Sequence, residues 1–118
     1  MTPVLGVAQI ALTVTDLAKA KVFYSELLGL LPLFDVGTMS FLDAGGVRIV
    51  LSAHGGKAGE RGTLVYLKVA DVRSAHEQLT SEGVHFEQAP HIIGRSAERD
   101  VWLAWCSDPD GNLIGLMS

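Results

Sequence analysis

The sequence predicts an α+β fold made of two βαβββ modules, and three observations carry that reading. The segment Ile10-Ala11-Leu12-Thr13-Val14-Thr15-Asp16-Leu17 shares its pattern with Val65-Tyr66-Leu67-Lys68-Val69-Ala70-Asp71-Val72, 55 residues later. Gly46-Val47-Arg48-Ile49-Val50-Leu51 likewise lies over Gly111-Asn112-Leu113-Ile114-Gly115-Leu116, 65 residues later. Between the matched ends of each copy, one stretch of helical spacing is followed by short strand-like runs.

The elements follow in order. Each copy opens on a strand that leads to an aspartate, Asp16 or Asp71, whose carboxylate can accept hydrogen bonds from the first unpaired amides of a helix. After Asp16, the residues Leu17, Ala20, Tyr24, Leu27 and Leu28 recur at helical spacing, and Gly29 can take the left-handed conformation that ends a helix. After Asp71, the residues Val72, Ala75 and Leu79 do the same before Gly83. Strands are then expected at Leu33-Phe34, Met39 to Leu42 and Val47 to Ser52 in the first copy. Their counterparts are Val84 to Glu87, Val101 to Cys106 and Leu113 to Met117 in the second.

Gly29 and Gly46 are 17 residues apart, whereas Gly83 and Gly111 are 28 apart, so the second copy carries 11 extra residues around Gln88 to Asp100. Pro90, the Ile92-Ile93 pair and Gly94 suit either a lid over a ligand or a contact with a second chain. His54 to Gly62 holds four glycines in nine residues and reads as a flexible linker. One domain is therefore expected, with module one at about 4–53, the linker at 54–62 and module two at about 63–118. Gly56-Lys57 lacks the earlier Gly and the following Ser or Thr of a phosphate-binding loop.

Composition narrows the function. With 118 residues, 48% of them hydrophobic and 19% charged, the chain can bury a core and fold unaided. Its net charge of -4 comes with no basic run, which argues against nucleic acid as a partner. Cys106 is the single cysteine, so neither a disulfide framework nor a Cys-rich zinc cluster can form, and a reducing cytoplasm is the natural setting. No apolar stretch approaches the roughly 20 residues that span a bilayer, and Met1-Thr2-Pro3 has no basic leader, so no membrane is expected as a partner.

Several local motifs together resemble the vicinal oxygen chelate superfamily, which includes glyoxalase I, extradiol dioxygenases, methylmalonyl-CoA epimerase, and the fosfomycin and bleomycin resistance proteins. They are Thr15-Asp16-Leu17 followed by Phe23-Tyr24, then Leu28-Gly29-Leu30, Val69-Ala70-Asp71-Val72, Gly83-Val84 and Asp108-Pro109-Asp110-Gly111-Asn112. The last of these is, on its own, tight-turn chemistry. The resemblance covers nearly the whole chain. It implies a curved mixed sheet with helices on its convex side and a ligand cavity in its hollow, and, by analogy, a homodimer.

Strand periodicity assigns residues to the two faces of such a sheet. One face carries Ile10, Leu12, Val14, Ile49, Leu51, Val65, Leu67, Val69, Ile114 and Leu116, all apolar and fit to pack on helices. The other carries Gln9, Ala11, Thr13, Arg48, Val50, Ser52, Leu64, Tyr66, Lys68, Leu113, Gly115 and Met117, the mixed polarity of a ligand cavity or a wet surface. In family enzymes the first and last strand of each module each supply one metal ligand, mostly His, Glu or Gln. The matching positions here are Gln9, Val50, Leu64 and Gly115. Only Gln9 offers a donor, too little for a transition metal, so no metal and no other cofactor is expected.

The candidate ligand-binding residues are therefore Gln9, Thr13, Arg48, Ser52, Tyr66, Lys68, His91 and Trp102, and no catalytic residue can be named. Arg48 and Lys68 either hold an anion in a partly dry hollow or extend to water at its rim. Trp102 and Trp105 point to opposite faces of one strand, so at most one meets the cavity. His54, His76 and His85 suit surface or capping roles, His91 stands in the extra segment, and Cys106 suits an inert buried thiol. The expected function is a metal-free protein of this fold that binds or sequesters a small anionic, partly apolar molecule. The alternative is a lyase or isomerase that uses Gln9, Tyr66, Lys68 or His91 directly, without metal or with an unusual metal site.

Overall fold

The structure, a computed structural model, describes residues 5, 7–53, 64–95 and 100–118. By internal contacts the chain divides into two compact units, Met1–Lys57 and Ala58–Ser118. The expected linker at 54–62 lies outside the described residues. Each unit has the order βαβββ, and its strands form a four-stranded sheet of their own.

In the first unit, β1 (Gln9–Thr13) leads to α1 (Leu17–Lys21), β2 (Leu31–Val36), β3 (Met39–Ala44) and β4 (Val47–Ser52). The sheet order is β1-β4-β3-β2, with β1 parallel to β4 and the other pairs antiparallel. Asp16 caps α1 by accepting a hydrogen bond from the Lys19 amide at 3.0 Å. Beyond α1 the helix widens into a π-helical segment, Val22–Leu27, in which the Leu28 amide reaches the Phe23 carbonyl five residues back. The Ser25 hydroxyl bonds the Lys21 carbonyl at 2.6 Å, a side-chain competitor for the regular ladder. Widening lets two successive aromatics turn inward. Phe23 and Tyr24 are both buried and meet edge to face at 4.9 Å, whereas Leu27 and Leu28 are only half-buried. With Leu12, Leu42, Ile49 and Leu51 they form the core of this unit.

One polar group is fully buried on this core face. The hydroxyl of Ser40 donates to Asp35 Oδ1 at 2.7 Å, while Lys21 Nζ of α1 donates to Asp35 Oδ2 at 2.7 Å. The Lys21 hydrogen bond, reinforced by that of Ser40, holds the Asp35 carboxyl below the usual carboxylate range. Since the folded group ionises below its unfolded value of about 3.9, its stabilisation is present above that pH and is lost as pH falls through the folded value. Asp35→Asn should therefore lower the melting temperature near neutrality and flatten its acid limb. Melts of both proteins from about pH 2 to about pH 7 check this, and parallel limbs would show that Asp35 carries no such linkage.

In the second unit, β5 (Val65–Lys68) leads to α2 (Val72–Ser81), β6 (His85–Arg95), β7 (Asp100–Ser107) and β8 (Leu113–Met117), with sheet order β5-β8-β7-β6. Asp71 caps α2 through the Arg73 amide at 2.9 Å, and that backbone bond lowers its carboxyl pKa. Gly83, at φ 93°, lets the chain leave the helix in the left-handed conformation. Val65, Val72, Leu79, Ala104, Cys106, Ile114 and Leu116 are buried here.

The extra residues of this unit are, where described, strand residues. Most of them lengthen a hairpin: β6 runs to Arg95, with Ile92 opposite Trp102, Gly94 opposite Val101 and Arg95 opposite Asp100. The β-branched Ile92 gains a large aromatic cross-strand neighbour. Pro90 is tolerated because β6 is an edge strand and its register slips between Gln88 and His91, so no ladder bond is forfeited. Residues 96–99 lie outside the described ones. Among the described residues, no helix is long and apolar enough to cross a membrane.

Candidate functional site

Cross-strand register brings the candidate residues other than Trp102 to the face of each sheet away from its helix. In the first unit Gln9 stands opposite Arg48, Ala11 opposite Val50 and Thr13 opposite Ser52. The next strand adds Asp43 beside Arg48, Phe41 beside Val50 and Met39 beside Ser52. Phe34 on β2 faces Phe41, and the two rings stack at 4.5 Å. The Arg48 guanidinium carbon lies 5.5 Å from the Phe41 centroid and 5.6 Å from that of Phe34. Not all of this face is wet, since Val50 and Phe41 are buried.

In the second unit Tyr66 is opposite Gly115, which is opposite Trp105, and Gln88 completes that row. The next row is Lys68, Met117, Leu103 and His91. Tyr66 and Trp105 meet edge to face at 5.0 Å. A hollow of about 290 Å³ opens beside them, lined by Tyr66, Leu67, Lys68, Val101, Met117 and Ser118. Its apolar floor with one cation and one phenol at the wall suits a small amphipathic ligand. His91 Nδ1 bonds the Ala89 carbonyl at 2.9 Å, and this contact orients the ring.

Trp102 is placed differently from the expectation. It shares the helix-bearing face with Ala104 and Cys106, where the Arg73 guanidinium of α2 lies 4.5 Å from its ring centroid. Trp105 is the tryptophan beside Tyr66. The signal was present in the sequence: a five-residue turn, Asp108 to Asn112, places Ser107 opposite Leu113 and hence Trp105 opposite Gly115. Phe34 and Phe41 share the face of Arg48 as well, and the sequence alone gives β2 and β3 no register that would assign their faces.

The residues at the family's metal-ligand positions do not fit a metal. Val50 is buried hydrocarbon and Leu64 is an exposed one. At Gly115, even a Cβ would come within 3.0 Å of both the Trp105 and Tyr66 rings, so the space a ligand side chain needs is already filled. Among the described residues, no group of three or more His, Cys, Asp or Glu is placed to hold a metal ion. Nor is the thiol a nucleophile: burial pushes the Cys106 pKa up to about 12.

A model of the Glyoxalase/Bleomycin resistance protein/Dioxygenase superfamily matches residues 6–116. No curated protein matches the sequence. Among solved structures, an antibiotic-binding protein from Streptomyces sp. CB03234 is similar at 26% identity and a TM-score of 0.80, over 98% of this chain and 97% of that one. A member of the same superfamily from Sphaerobacter thermophilus DSM 20745 is similar at 26% identity and a TM-score of 0.76, over 97% of each chain. A lactoylglutathione lyase from Agrobacterium tumefaciens shares the fold at 21% identity and a TM-score of 0.74, over 98% of this chain and 94% of that one.

Proposed function

The chain belongs to the Glyoxalase/Bleomycin resistance protein/Dioxygenase superfamily, and on that premise we propose that it binds and retains a small anionic, partly apolar molecule without the family's metal. The observation that carries this reading is Gly115, where the Trp105 and Tyr66 rings occupy the room of a metal ligand and Tyr66 lines a hollow instead. Tyr66 supplies a half-exposed ring, Met117 and Val101 an apolar floor, and Lys68 a cation at the wall. A half-exposed aromatic surface next to one ammonium favours a ligand with a flat apolar body and a negative end. Likeness to an antibiotic-binding protein supports retention over turnover.

Native mass spectrometry of the purified protein, with elemental analysis after dialysis, tests the proposal. The expected result is an organic ligand released unchanged on denaturation and no stoichiometric divalent metal. Lys68→Met should then weaken that ligand by about 1.5 to 3 kcal/mol, the scale of a charge-assisted hydrogen bond. One tightly held Ni, Zn, Fe or Mn per chain, or a chemically altered ligand, would turn the reading toward a lyase or isomerase, with His91 and Lys68 the first residues to substitute.

A further inference from the structure

Arg48 makes no ion pair with any described residue, although an aspartate stands directly across the strand from it. That aspartate, Asp43, is turned to its own hairpin, where Oδ1 accepts a hydrogen bond from the Gly46 amide at 3.1 Å. Arg48 is half-buried, with its guanidinium beside the stacked Phe34 and Phe41 rings. One flank of this stack is closed, because Phe41 is buried. The other is open, because Phe34 remains 47% exposed. A planar cation fixed by aromatic contact keeps its in-plane N–H donors for an external acceptor, and a carboxylate matches their fork.

We propose that Arg48, Phe34 and Phe41 form a subsite for a planar aromatic carboxylate, with the carboxylate on the Arg48 guanidinium and the ring on the open face of Phe34. Two demands follow from the geometry. The ligand must be charged, since a neutral amide cannot offset the unpaired guanidinium. It must also be flat, since an aromatic ring continues the stack and a puckered one does not. Gln9, exposed and opposite Arg48 on β1, offers an amide at the rim of the same row.

This inference goes beyond the preceding reading and is tested apart from it, because the hollow at Tyr66 and both tryptophans belong to the second unit. Benzoate, cyclohexanecarboxylate and benzamide would be titrated into the full chain, with NMR read at the Arg48 Nε–H and the Phe34 and Phe41 rings. Benzoate should bind roughly two- to tenfold more tightly than cyclohexanecarboxylate, the scale of an aromatic pair, and benzamide should not bind. Arg48→Met should weaken benzoate at least about tenfold. Arg48→Lys, which keeps the charge without the fork, should weaken it less. Phe34→Leu should remove the preference for the flat acid while sparing acetate-like binding, and it keeps the proposal testable if an Arg48 variant fails to fold. Equal binding of benzamide, an unchanged benzoate affinity in folded Arg48→Met, or shifts confined to Tyr66 and Trp105 would each overturn the proposal.

Discussion

Asp108→Ala should destabilise the second unit by about 3 kcal/mol, which for a chain of this size lowers the melting temperature by roughly 10 °C. The carboxylate is buried and is the hub of the β7–β8 turn. Oδ1 accepts hydrogen bonds from the amides of Asp110 at 2.9 Å and Asn112 at 2.8 Å, and Oδ2 accepts one from the Asn112 side-chain amide at 2.8 Å. Alanine removes both acceptor oxygens, and with them all three hydrogen bonds, at a turn where Asn112 is itself buried. Hydrogen bonds to a charged group contribute about 1.5 to 3 kcal/mol, and a buried donor left unmatched costs about 1 to 3. Asp108→Asn keeps one acceptor but sets an amide N–H₂ against the Asn112 amide, so it should fall between the two. Urea unfolding followed by tryptophan fluorescence is the appropriate measurement, because both tryptophans lie on β7, the strand entering the turn. A loss below about 1 kcal/mol in the alanine variant would mean that water replaces the carboxylate without penalty.

Substitution of Gly115 is expected to have the other large effect, and a graded one. Gly115→Ala puts a methyl group 3.0 Å from ring atoms of both Trp105 and Tyr66. Tyr66 is 50% exposed and can swing outward, so the cost should stay near 1 to 2 kcal/mol. Gly115→His needs room for a whole ring and must displace Trp105 as well, costing about 3 kcal/mol and erasing the near-ultraviolet signal of the aromatic pair. Combining either change with Trp105→Leu should recover part of the loss, and the size of that coupling measures the clash itself. Additive losses would show that the rings do not oppose a side chain at this position.

Strand faces were legible wherever two matched segments pair in parallel. Ile10, Leu12, Ile49 and Leu51 could be set on one side, and Gln9, Thr13, Arg48 and Ser52 on the other, because a period of two leaves only one choice once the apolar face is recognised. The observed pairing of Gln9 with Arg48 and Tyr66 with Gly115 has that parity. Helix starts at Asp16 and Asp71 were legible for a similar reason: a cap is a contact between near neighbours in sequence. The π-helical turn was not, since it depends on whether Phe23 and Tyr24 can both reach the core.

What the sequence by itself determined is therefore local and periodic: the βαβββ order, the capped helix starts, the apolar faces, and the absence of donor side chains at Val50, Leu64 and Gly115. Only the tertiary structure decided which residues meet across strands that share no repeat. Antiparallel register set Trp105 rather than Trp102 beside Tyr66, brought Phe34 onto Phe41 under Arg48, and turned the extra residues of the second unit into a longer hairpin. Register depends on turn length and bulges, and one residue of slip moves every side chain to the opposite face. A candidate site assembled from four strands inherits that sensitivity, whereas a buried hydrophobic pattern does not.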